Sequence, residues 1–330
     1  MNLFSKCFFL LSLHSHIKSK KTFSIFLVFS LSFSLYAEKE RGFANIYYKT
    51  HFGFSKFYEL VLSERQIISN LEWKSHTLNS TEIGFDIFFP SGYIFGANFL
   101  FIPGNIPHTF IDEDFMDNIL FSYSEHQSKN IPSYEISIHT GKQFKIKTFP
   151  LFDVQNILFI SPGLRVRILN YGFSAADGFG FKIRNNGEKI DNRYYGWQIS
   201  YSCMLFCVEL LSNFQWNIGD KLAWHNNIGI NMYFNGITYD YHVKRNIHFY
   251  DYYHFVGIFL SLRSQLLYNI QQDFGILVGT NYDFIYSDVG SLMAIFADTN
   301  STVFGGKGVS GVKHLKCSIS IGCNIAVNLN

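Results

Sequence analysis

The sequence predicts an all-β fold, a ten-stranded antiparallel transmembrane β-barrel that protrudes above its membrane. Three observations predict it. Charged residues make up 16% of the 330-residue chain, well below the roughly 25% of soluble domains. Aromatic residues make up 18%, with 37 Phe and 20 Tyr, which suits interfacial girdles. Beyond the N-terminal segment, Phe, Tyr, Ile and Val recur with a period of two between clusters of Gly, Asn, Asp and Pro, and no apolar run there is long enough for a membrane-spanning helix. The net charge of +2, with basic residues scattered, gives no stripe that would follow a phosphate backbone, so nucleic acid is not an expected partner.

Taken in order, residues 1–37 read as a signal peptide with an unusually long N-terminal extension that includes Cys7. Lys18, Lys20 and Lys21 form the basic cluster, Thr22 to Leu35 the apolar run, and Leu35-Tyr36-Ala37 the cleavage site. Glu38-Lys39-Glu40-Arg41 ends the run short of the ~20 residues a spanning helix needs; the competing reading is an uncut anchor. Export places Cys203, Cys207, Cys317 and Cys323 in an oxidising compartment. Each of the pairs 203/207 and 317/323 shares a strand parity, which fits small wall residues; disulfides are the alternative.

The expected strands are Phe43 to Ser63, Gln66 to Phe89, Tyr93 to Phe115, Ser133 to Lys147, Ile157 to Ser174, Arg193 to Ser212, Lys221 to Tyr241, Asp251 to Asn269, Asp273 to Asp288 and Val312 to Asn328. Turns are expected at Pro90-Ser91-Gly92, at Thr148-Phe149-Pro150 and around Asn185-Asn186-Gly187. Ten is an even number, as bacterial outer-membrane barrels require. Strands longer than the ~9–11 residues that cross hydrocarbon predict a barrel rising above the membrane. Closure follows because only helices and closed barrels pair every backbone group in lipid. The competing fold, a secreted β-sandwich, is disfavoured because 48% hydrophobic residues, spread over every strand, leave few polar outer faces. The chain ends Leu329-Asn330, without the terminal aromatic residue common in such barrels.

Two spacings carry candidate chemistry. Asp112-Glu113-Asp114 ends the third expected strand and Asp240-Tyr241-His242 the seventh. Residues i and i+2 of a strand point the same way, so Asp112 shares a face with Asp114, and Asp240 with His242. Strands three and seven lie roughly opposite in a ten-strand ring, so the pairs are expected to face each other across the mouth around one water. A carboxylate beside His orients the ring and stabilises its charged form, letting it take a proton from that water. Two close carboxylates raise one pKa and hold a proton for the leaving group. No Ser or Cys nucleophile is required. The bland alternatives are a solvated rim or Ca²⁺-type oxygen cluster for the Asp pair, and a wet surface for His242. Gly306-x-Gly308-x-x-Gly311 spells a dinucleotide fingerprint outside any strand–helix context and reads as a flexible loop. The sequence has no Walker lysine motif and no His-Glu-x-x-His site.

Several stretches resemble the omptins, a family of ten-stranded outer-membrane proteases. Glu59-Leu60-Val61-Leu62 leading to Ser69-Asn70-Leu71-Glu72-Trp73-Lys74 is similar to that family's first hairpin. Ile111-Asp112-Glu113-Asp114-Phe115-Met116-Asp117 resembles the block bearing its Asp pair. Ser124-Glu125-His126 resembles a loop Ser-x-His, and Asp240-Tyr241-His242 with Tyr252-Tyr253 resembles the Asp-x-His block and its sequel. The resemblance implies that Asp240 and His242 activate the water, that Asp112 and Asp114 form the facing pair, and that Glu59 sits at the base of the pocket for the residue before the scissile bond. It implies peptide or protein substrates, outer-membrane lipid as surroundings, an active site facing the exterior, a monomer, and no metal or other cofactor. Lipopolysaccharide is an implied activator, for which Arg165 and Arg167 are candidate contacts; both also fit the lumen. Family members typically cut between basic residues, using buried acids. Here Thr238 stands where a second pocket acid is expected, and Ser122 where another aligns, which predicts a relaxed preference. The alternative function is a non-catalytic adhesin or pore.

Overall fold

The computed structural model describes residues 42–151, 154–184, 186–254 and 257–329; the expected signal peptide, its cleavage site and Cys7 lie outside them. Thirteen strands form one antiparallel sheet: β1 (Phe43–Ser63), β2 (Gln66–Phe88), β3 (Tyr93–Ile102), β4 (Pro107–Met116), β5 (Ile119–Lys142), β6 (Phe144–Leu151), β7 (Val154–Ile183), β8 (Lys189–Ile218), β9 (Leu222–His242), β10 (Ile247–His254), β11 (Ile258–Asn269), β12 (Phe274–Phe296) and β13 (Ser301–Asn328). β3 with β4, and β10 with β11, each make one interrupted barrel strand, and β6 is an edge hairpin on β7. The remaining ladders run round in sequence order, and β1 pairs β13 over its length, from Phe43↔Asn328 to Val61↔Ser310. The result is the expected closed ring of ten hydrogen-bonded strands.

The break between β3 and β4 follows from Pro103 and Pro107, which remove two ladder donors. Asn130 of β5 staples the gap. Its Oδ1 accepts from the Ile106 N–H at 2.8 Å, and its Nδ2 donates to the Pro103 carbonyl at 2.5 Å. β1–β2 and β4–β5 join through two residues each, Glu64-Arg65 and Asp117-Asn118, all with positive φ, the twist a two-residue hairpin needs.

Several expected boundaries are corrected. The fourth barrel strand is Ile119–Lys142, not Ser133 to Lys147, and the strands around residues 154–218 and 274–328 run up to eleven residues further than alternation indicated. Thr148-Phe149-Pro150 is not a turn but part of β6, an edge strand whose free side tolerates proline. Tyr252-Tyr253 lie inside β10, which opens at Ile247. Gly306, Gly308 and Gly311 lie within β13, not in a loop. Gly308 has φ of 76° where the β12–β13 register slips between Ser287 and Met293.

Side-chain alternation separates two environments. Along β12, Phe274, Ile276 and Val278 point outward and exposed, whereas Leu277, Asn281 and Asp283 point inward and buried. Equivalent outward apolar residues include Phe52 and Phe54 on β1, Phe99 and Phe101 on β3, and Ile319 and Ile321 on β13. Together they make an apolar band at the end where β1 begins and β13 finishes. Beyond it the outer face turns polar: Lys56 pairs with Glu72 at 3.4 Å, and Asn70 donates to Glu113 at 2.9 Å. The upper part of the barrel is therefore built for water, and the lower part for hydrocarbon.

The lumen is filled in layers. An aromatic layer of Phe57, Trp73, Phe110, Phe173 and Tyr201 packs Trp73 against Phe110 at 4.1 Å and Phe57 against Tyr201 at 5.4 Å between ring centroids. A buried ionic network holds Arg167 between Glu135 (2.9 Å) and Asp283 (3.0 Å), with Arg165 on Glu209 and Lys316 on Glu135. A polar cavity of about 160 Å³ near the terminal end is lined by Lys49, Asp86, His225 and Arg263 among others. Arg165 and Arg167 are 3% and 1% exposed, so they are lumen residues and not lipid contacts. Cys203, Cys207, Cys317 and Cys323 are all free, the first two buried inward. Protein unfolded without reductant should accordingly take up maleimide at all four; uptake at two or none, read by mass, would contradict this.

Candidate active site

The two acidic motifs end up beside two tight turns at the polar end. Asp112 and Asp114 lie on β4, just before the Asp117-Asn118 turn. There they pair with Ser124 and Ser122 of β5, and all four face inward. Asp240 and His242 close β9 before the turn at Val243–Asn246. His242 Nε2 lies 2.7 Å from Asp240 Oδ2. Asp240 is buried; His242 is only partly so, and its ring stands edge-on to Phe249 at 5.1 Å. β4 and β9 belong to barrel strands three and seven of the ring.

Electrostatics link the two motifs across the mouth. Burial, then the adjacent Asp114, pushes the Asp112 carboxyl up to about 7, and His242 and Arg245 act in the opposite direction. Burial pulls His242 down, but the Asp240 carboxylate, its hydrogen bond and Asp112 together raise it above the ordinary histidine value. Asp112 and His242 therefore sit close enough for each charge to move the other's proton.

Glu59 and Thr238 lie just below. Glu59 on β1 is 2% exposed and Thr238 on β9 is fully buried. Thr238 Oγ1 donates to Asp251 Oδ2 at 2.9 Å. Asp251, on β10, is the ladder partner of Thr238, and it is a site residue that the sequence pattern did not yield. A signal was present: with a four-residue turn at 243–246, counting outward from His242 and Ile247 brings Thr238 opposite Asp251. The expected strand opened only at Asp251, which hid this pairing. The acid absent at Thr238 is thus present one strand over. Arg245, which acts on both Asp112 and His242, was missed as well because turn residues carry no periodic signal.

Ser124 and His126 line the neighbouring wall. His126 Nε2 bonds Ser124 Oγ at 2.9 Å, and its ring packs 5.0 Å from Tyr194 and 5.6 Å from Phe110. Ser122, where an acid was expected, pairs with Lys182 of β7. Among the described residues no group of His, Cys, Asp and Glu has the geometry to hold a metal ion.

No family model matches the chain, and no curated protein matches it in sequence. Among solved structures, the outer membrane protease OmpT of Escherichia coli superposes with a TM-score of 0.74 at 13% identity, covering 87% of this chain and 97% of that one. The transport unit of the autotransporter AIDA-I from Escherichia coli (TM-score 0.33, 7% identity, 87% and 91% covered) and the translocator domain of NalP from Neisseria meningitidis (0.33, 7%, 92% and 95%) also match. The first likeness establishes the shared ten-stranded barrel fold.

Proposed function

We propose that the chain is an outer-membrane endopeptidase that hydrolyses peptide bonds with a water activated by His242 and Asp240, facing Asp112 and Asp114. The observation that carries this reading is the 2.7 Å Asp240–His242 pair whose ring is coupled to a raised Asp112. With Nε2–H donated to Asp240, Nδ1 is left to take a proton from water lying towards Asp112. Asp240 compensates the imidazolium as hydroxide attacks the carbonyl. Asp112, raised beside Asp114, holds the proton that the leaving amine takes up. Glu59, Thr238 and Asp251 form the pocket for the side chain before the scissile bond. Its buried carboxylates call for a cation, so a basic side chain fits it better than Thr238 alone suggests.

The mature chain begins at Glu38, the site faces the exterior, and the protein works as a monomer that needs no metal; lipopolysaccharide is an activator candidate. The test is cleavage of a mixed peptide library by refolded protein with lipopolysaccharide present. Products with a common residue before the cut support the reading; no cleavage by a folded barrel sinks it. A non-catalytic adhesin would then be favoured over a pore, because the aromatic layer of Phe57, Trp73 and Tyr201 closes the lumen. Graded conductance in bilayers would reverse that order.

The raised Asp112 has a pH signature. Activity should rise as His242 loses its proton and fall as Asp112 loses its own near pH 7, giving a narrow bell in kcat/KM. Asp114→Asn removes the neighbouring negative charge, so Asp112 should ionise at lower pH and the falling limb should move to the acid side. A limb that stays in place would show that Asp112 is not the group titrating.

A further inference from the structure

Beneath His242 lies an acid cluster in which, among the described residues, the one cation is the His242 ring itself, bonded to Asp240 at 2.7 Å. Glu59 comes from β1, Asp240 from β9 and Asp251 from β10, and each is at most 2% exposed. Besides one another and Asp240, the groups acting on Glu59 and Asp251 are Tyr201 and Cys203 of β8, Thr238 of β9, Tyr253 of β10 and Ser310 of β13. None carries a positive charge. The cluster also has unmet bonding capacity. Glu59 Oε2, Asp240 Oδ1 and Asp251 Oδ1 have no donor, and the fully buried Tyr201 hydroxyl beside Glu59 has no partner. Thr238 satisfies only part of Asp251, and the Ser310 hydroxyl donates to Tyr253 at 3.2 Å.

Glu59 and Asp251 lie close enough for each to act on the other's proton, and two buried carboxylates with unpartnered oxygens and no cation between them do not both ionise freely. Burial first, then Asp251 and Asp240, push Glu59 well above the carboxylate range, and burial lifts Asp251 to about 6.

We propose that Glu59 and Asp251 hold one proton between them in the resting protein, and that a basic substrate side chain takes its place, the proton leaving to solvent. The inference rests on the peptidase reading above and adds a control to it. Selection of Lys or Arg over a neutral side chain strengthens as pH rises and fades as the proton is restored. Asp251, reaching across the ladder to Thr238, is the residue that sets this control.

Two peptides identical except for Lys or norleucine before the scissile bond test it. Their kcat/KM values are measured from about pH 5 to about pH 9, a range that brackets the shifted carboxyls. The ratio cancels the ionisations of Asp112 and His242, which both peptides share. For one displaced proton the Lys/norleucine ratio should climb about tenfold per pH unit and then level off. Asp251→Asn and Glu59→Gln should each lower the ratio and flatten its pH dependence. A ratio that is constant with pH in the wild type overturns the proposal. Calorimetry keeps it falsifiable without catalysis: His242→Ala protein is titrated with the Lys peptide in two buffers of different ionisation enthalpy. Release of about one proton per peptide near neutral pH supports the exchange. Binding without proton release, or no binding, overturns it. Proton release by a barrel whose wild type cuts neither peptide would sink the peptidase reading and leave the shared proton standing.

Discussion

Replacing His242 with alanine is expected to lower kcat/KM for peptide cleavage by about 10²–10⁴-fold, with the barrel intact. Among the described residues, His242 is the one ring at the mouth that combines partial exposure with a 2.7 Å bond to a buried carboxylate. On the proposed mechanism, removing it leaves the water without a base, and it leaves Asp240 without its 2.7 Å partner. Asp240→Asn keeps the shape but loses the charge that stabilises the imidazolium, so it should fall almost as far. The double variant should be little worse than either single one, because groups acting as a unit are non-additive. KM should change little for His242→Ala, which lies above the Glu59–Asp251 pocket, whereas Asp240 acts on both of those acids, so Asp240→Asn should also raise KM for a basic peptide. Activity persisting in His242→Ala would remove the water-activation mechanism, and binding of a target that survived the change would favour an adhesin.

The second large effect concerns stability. Arg167→Met should destabilise the barrel by about 3–5 kcal/mol, the cost of breaking a buried ion pair from one side. Arg167 is 1% exposed, bonds Asp283 at 3.0 Å and Glu135 at 2.9 Å, lies 3.7 Å from Glu209, and stacks on Phe259 at 4.6 Å. Methionine fills much of the volume but leaves Glu135, Asp283 and Glu209 with Lys316 and Arg165 as their ion-pair partners among the described residues. Arg167→Lys keeps the charge but not the planar fork, so it should lie between the two. Urea unfolding followed by heat-modifiable gel mobility measures this; a midpoint equal to wild type would mean the network contributes no net stability. Peptide cleavage should be retained at temperatures where the variant stays folded, because the aromatic layer separates the network from the mouth.

Strand existence and number were legible wherever one face meets hydrocarbon and the other the lumen, as on β12, where Phe274, Ile276 and Val278 alternate with buried residues. The strand extensions were not. Above the apolar band both faces carry polar groups, as with Ile119–Asn130 and Ser301–Gly311, so alternation disappears while the ladder continues. There the neighbouring strand, and not the local pattern, decides that the chain stays extended. Pro150 misled for a related reason: it marks a turn in isolation but sits on an edge strand here.

By itself the sequence determined the all-β class, the count of ten strands, and the facing of Asp112 with Asp114 and of Asp240 with His242, because a period of two is a local property of the chain. Only the tertiary structure decided which faces meet. It set Asp251 opposite Thr238, gathered Glu59 from β1 to the same spot, and buried Arg167 between Glu135 and Asp283, 32 and 116 residues away in the chain. Closure of the ring fixes these meetings, and it depends on registers summed over every strand, which no local spacing contains.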